Sequence, residues 1–134
     1  KKNLSNDLVT KMVKSRQPVV KDLINKFTKT KSVQKRSAES NIVKKARQEV
    51  EAANKELASL VRELPPEFIK NHRQDYERFS RFVEKIPTKV EKIRRNYMTQ
   101  RKDGDYSEAV GRFKELLKSI QQNIQILGVV ANPA

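Results

Sequence analysis

The sequence predicts an all-α protein, and three observations carry that prediction. Apolar residues recur at alternating three- and four-residue intervals along most of the 134-residue chain. No stretch shows the sustained apolar–polar alternation of a half-buried strand, and no Asn-Gly turn joins two such stretches. Prolines and a late glycine punctuate the periodic runs as helix starts and stops do. Helix is therefore expected over more than about two thirds of the chain, where an ordinary globular domain has about one third.

Taken in order, Leu4, Leu8, Val9, Met12 and Val13 form a first stripe. Pro18 then interrupts, in a place suited to the first turn of a second helix carrying Val19, Val20, Leu23, Ile24 and Phe27. Residues 28–41 lack a stripe and read as a basic connector. Val43, Ala46, Val50, Ala53, Leu57, Leu60 and Leu64 follow heptad spacing up to Pro65-Pro66. Ile69, His72, Tyr76, Phe79, Val83 and Ile86 repeat the rhythm up to Pro87, and Thr88 is placed to cap a helix bearing Val90, Ile93 and Tyr97. Lys102 to Asp105 is a turn, and Asp105 with Glu108 stands in capping-box relation at the start of a last helix. That helix carries Ala109, Phe113, Leu117, Ile120, Ile124 and Leu127, and Gly128 marks its end before an apolar tail. The expected architecture is a basic N-terminal helix-turn-helix arm, residues 1–36, followed by a four-helix bundle with a short apolar tail, residues 37–134.

Composition narrows function. There is no Cys and one His, so thiolate and histidine-based metal or hydrolase sites are not expected. No apolar run reaches the length of a membrane-spanning helix. His72 lies on an apolar stripe and reads as a core histidine with a satisfied hydrogen bond. Asp103 and Asp105 lack the distal ligands of a calcium loop, and Gly104, Gly111 and Gly128 are too scattered to cradle a phosphate. Glu63 and Glu67, beside Pro65-Pro66, read as helix-end residues. No enzyme, no metal and no cofactor is expected.

Charge points elsewhere. Thirty Lys and Arg against sixteen Asp and Glu leave a formal +14, and the excess is uneven. Residues 1–36 hold eleven basic residues against Asp7 and Asp22, residues 37–84 balance nine against nine, and residues 85–102 hold seven against Glu91. Two basic blocks around a neutral body are the pattern of an electrostatic footprint for a polyanion. In the first block the candidates are Lys11, Lys14, Arg16, Lys21, Lys26 and Lys29, with Lys31, Lys35 and Arg36 in the connector. In the second they are Lys85, Lys92, Arg95 and Lys102. With no base-reading motif, contacts would go to the phosphate backbone. The apolar stripes of the arm need burial on the chain's own bundle, on a neighbouring subunit or in a lipid interface.

The basic helical arm of residues 4–29, bent at Pro18, and the helical bundle of residues 38–127 together resemble the major coat proteins of filamentous archaeal viruses, the lipothrixvirus and rudivirus group. In that family such arms clasp double-stranded DNA, held in A-form, and paired subunits stack helically along it. The resemblance implies that Lys11, Lys14, Arg16, Lys21, Lys26 and Lys29 face DNA, that copies of the chain or a related subunit are its partners, and that it resides in a virion. The rival expectation is a helical adaptor or membrane-surface protein whose basic amphipathic arm docks on anionic lipid or an acidic partner; a cytoplasmic, nucleic-acid-associated protein is the cellular version of the first reading.

Overall fold

A computed structural model describes residues 4–30, 39–100 and 107–132. Five helices account for nearly all of them: α1 Leu4–Thr30, α2 Glu39–Arg62, α3 Pro66–Asn71, α4 Arg73–Gln100 and α5 Ser107–Ala131. Among the described residues there is no strand.

The heptad stripes become one core. Val50, Ala53, Leu57 and Leu60 of α2 and Phe113, Ile120, Ile124 and Leu127 of α5 are buried, with Phe68, Phe79, Ile86 and Val90 between them. Fully burying a side chain of this size contributes about 1.5–3 kcal/mol, so this face outweighs helix propensity in holding the elements together. Pro65 stands at the N-cap of α3 and Pro66 at its first position, where the absent N–H costs nothing. The chain thus turns at the double proline as its spacing predicts.

Two other prolines behave differently. Pro18 lies inside α1, a single 27-residue helix where two short helices joined by a bend were expected. Pro87 likewise lies inside the 28-residue α4 and does not stop it, and Thr88 is within the helix, not at a cap. An interior proline loses one backbone hydrogen bond and costs about 3 kcal/mol. Both prolines are exposed, and each is bracketed by buried anchors: Val13 and Val20 around Pro18, Ile86 and Val90 around Pro87. Burial on both sides offsets the loss. In α4 the carbonyl that Pro87 leaves without its N–H partner, that of Val83, accepts a hydrogen bond from the Asn54 amide of α2 at 3.4 Å.

The largest departure concerns the N-terminal arm. Its apolar stripe is spent inside the bundle: Val9, Val13 and Val20 are fully or almost fully buried, and α1 packs along both α2 and α5. The long helices α1, α2, α4 and α5 form the bundle, with α2 and α5 in contact across it and α1 and α4 not touching each other. The helices expected over residues 69–86 and 88–102 are instead divided as α3 and α4. Gly128 does not end α5; it allows the close approach of α1, because a Cβ there would lie 3.2 Å from Val13 Cγ1. The tail after it is helical through Ala131, which is buried. The turn at 102–105 lies outside the described residues.

Candidate nucleic-acid interface

Which cations remain available to a ligand depends on which are already engaged by carboxylates. The seam between α1 and α2 engages two. Glu49 and Glu56 of α2 and Glu63 just past its end repeat at seven-residue spacing, and they line up facing α1. Arg16 forms ion pairs with Glu56 at 3.3 Å and Glu63 at 3.1 Å, and donates to Ser59 Oγ at 3.3 Å; its side chain is only 20% exposed. Ser59 in turn donates to Glu63 at 2.6 Å. Lys26, further along α1, lies near Glu49, further back along α2, so the two helices run antiparallel. Burial pushes the Glu49 carboxyl above the ordinary carboxylate range, with the charges of Lys45 and Lys26 pulling it back. Neither Glu49 oxygen has a hydrogen-bond partner.

Arg16, expected among the DNA-facing residues, is engaged in bolting α1 to α2, and Glu63, just past the end of α2, takes part in that bolt. Lys11, Lys14 and Lys21 are exposed on the outside of α1, in company with exposed Asp7 and Asp22. Lys26 is exposed beside the Glu49 seam. Lys29 falls in the last turn of α1. Lys31, Lys35, Arg36 and Lys102 lie outside the described residues.

Other arginines are engaged along their own helices. Arg47 pairs with Glu51 at 3.1 Å, Arg73 with Glu77 at 3.8 Å and Arg112 with Glu108 at 3.0 Å. Glu91 accepts from Arg94 at 2.9 Å and 3.0 Å and lies 3.8 Å from Arg95. The Arg94 hydrogen bonds hold the Glu91 carboxyl below its usual range. Arg95, expected in the phosphate-tracking row, is thus partly committed to Glu91, and Glu108 pairs with Arg112 at the start of α5.

What is left on α4 is a row. Arg78, Arg81, Lys85, Lys89 and Lys92 are all exposed, and none of them forms an ion pair among the described residues. Their intervals of three, four, four and three residues keep them within about 40° of one line on a helix turning about 100° per residue. Arg78, Arg81, Phe82, Lys85 and Lys89 line one surface groove together with Glu77, and Lys89, Lys92 and Asn96 continue into the groove between α4 and α5, whose other wall carries Glu108, Arg112 and Glu115. Gln74 and Asn96 extend the line at its ends. Glu84 stands about 100° away around the helix; Glu77 borders the row and is held by Arg73. Of this row, Lys85 and Lys92 were legible in the sequence. Arg78, Arg81 and Lys89 were hidden, two of them in a window whose net charge is zero.

His72 is not on a core helix stripe: it ends α3, its N–H donates to the Phe68 carbonyl, and its ring lies 4.5 Å from the Phe68 ring. No group of three His, Cys, Asp or Glu among the described residues is placed to hold a metal ion. No helix among them is long and apolar enough to cross a membrane.

The fold and the surface define an all-helical bundle with outward-facing cations. No protein-family model, no curated protein and no solved structure matches the chain.

Proposed function

We propose that the chain is a structural nucleic-acid-binding protein that coats or packages double-stranded DNA without reading its sequence, as a subunit of a viral filament together with other copies of itself or a related coat subunit. The observation that supports this most is the disposal of charge. Many of the carboxylates are engaged by arginines within the fold, so that unengaged Lys and Arg dominate the exposed faces of α1 and α4. Such a surface meets a phosphate backbone by releasing its condensed counterions, a term blind to base sequence. Leu8, Val19, Ile126 and Val129 are exposed apolar side chains suited to contacts between copies.

The membrane-surface alternative is the poorer fit. An interfacial helix needs a free apolar face, and the main stripe of α1 is occupied by α2 and α5. The test is a salt titration of binding to duplex DNA of arbitrary sequence, with the complexes imaged by negative stain. Steep salt dependence and regular filaments are expected. Binding no better than that of a neutral control protein at 50 mM salt would overturn the proposal, whether or not the chain sediments with anionic vesicles.

A further inference from the structure

The two cationic helices are not equivalent, and the difference locates the binding site. From Arg78 to Lys92 the row on α4 spans fourteen residues, about 21 Å at 1.5 Å per residue, with successive cations about 5–6 Å apart. One strand of duplex DNA advances about 3.4 Å per phosphate, so the same length carries about six phosphates. On α1 the comparable length is interrupted. Arg16 is turned into the bundle, Lys26 lies beside Glu49, and Asp7 and Asp22 share the outer surface with Lys11, Lys14 and Lys21.

We infer that Arg78, Arg81, Lys85, Lys89 and Lys92 form the phosphate-backbone site of this protein, tracking one strand of a duplex along α4, while α1 contributes to the fold and little to binding. This rests on the nucleic-acid reading above and names the residues that serve it. The row is unbroken because the helix is continuous through Pro87; a stop there would separate Lys89 and Lys92 from Arg78 and Arg81. It is presented on a fixed support, because Phe79, Ile86 and Val90 on the buried side of the same helix are locked into the core. A backbone set by packing needs no ordering when the ligand arrives, so a contact there loses less backbone entropy than one on a free arm. The two arginines at one end add planar donors suited to bidentate phosphate contact, and the three lysines act as point charges.

The experiment compares two variants of the full chain that each remove three positive charges. One carries Arg78→Gln, Lys85→Gln and Lys89→Gln; the other carries Lys11→Gln, Lys14→Gln and Lys21→Gln. All six positions are exposed, and circular dichroism melts confirm that each variant folds. Affinity for one duplex oligonucleotide is measured between 50 and 200 mM salt. Five phosphate contacts predict a fall of about 500-fold over that range for the parent protein, and two remaining contacts predict about 12-fold for the α4 variant. The α1 variant is expected to stay near the parent slope. A third variant, Lys85→Arg with Lys89→Arg, keeps the charge and is expected to keep the slope. Equal loss in both triple variants, or a larger loss in the α1 variant, overturns the inference while the nucleic-acid reading stands. Failure of the parent protein to bind duplex DNA overturns that reading instead.

Discussion

Helices α1 and α4 look alike as strings of residues. Each is amphipathic, basic and carries one proline near its middle. They differ in what lies across from their charges. Helix α1 meets a heptad-spaced line of carboxylates on α2, and Arg16 and Lys26 are drawn towards it. The row on α4 shares a groove at its Lys89 and Lys92 end with Glu108 and Glu115 of α5, yet Glu108 is held by Arg112 and none of the five cations forms an ion pair among the described residues. The lesson is that a segment's net charge is not its footprint. A cation counts toward a ligand only after the carboxylates that the fold brings to it have been subtracted.

The contrast is broken most severely by removing α1. If it is an integral helix, a chain lacking residues 1–30 exposes the faces of α2 and α5 that Val9, Val13 and Val20 cover. The loss is comparable with the whole stability of a domain this size, so the cooperative thermal transition by circular dichroism is expected to disappear. A truncated chain melting within a few degrees of the parent would make α1 an appendage after all.

Next comes the bolt itself. Arg16→Met keeps the aliphatic stem but leaves Glu56 and Glu63, side by side along a partly buried seam, without their shared cation. A cost of about 1–2 kcal/mol is expected from urea denaturation, the hydrogen-bonded charge being only partly screened. Lys14→Met, on the exposed side of the same helix, is the matched control and is expected to stay within about 0.5 kcal/mol.

The smallest effect belongs to Glu49. Its carboxyl is raised in the fold by burial, so the ionised form opposes folding. That opposition is absent below the ordinary carboxylate range and develops as pH rises towards the folded-state value. Glu49→Gln is therefore expected to gain slightly at pH 7, by under about 1 kcal/mol, and to gain nothing at pH 4. Chemical denaturation at the two pH values checks it; a Gln variant less stable at pH 7 would show that Lys45 and Lys26 outweigh burial.

Much of this fold was legible in the apolar spacing, since stripes such as Val50, Leu57, Leu60 and Leu64 or Phe113, Leu117, Ile120 and Ile124 are buried as their periodicity predicts. The misread prolines share a cause. Local chemistry makes Pro18 and Pro87 helix breakers, and only the burial of neighbours on both sides, a property of the assembled bundle, reverses that. The exposed cationic row on α4 was half legible. Lys85 and Lys92 stood in a basic block, whereas Arg78 and Arg81 were averaged against Glu77 and Glu84, which occupy other positions around the same helix. Counting along the chain mixes faces that the helix separates.

The hydrogen bond from Asn54 to the Val83 carbonyl also has a mechanical meaning. Apolar seams of similar residues at heptad spacing resist sliding weakly, since moving one helix past another by two turns restores much the same contacts. The proline breaks that translational symmetry by exposing a single acceptor, and Asn54 supplies the single donor that fits it. The pair works like a key in a slot, selecting one alignment of α4 against α2 from several of near-equal packing. The same alignment fixes how far the α4 cations extend past the rest of the bundle, so the polar contact between α2 and α4 sets the position of the whole cationic row.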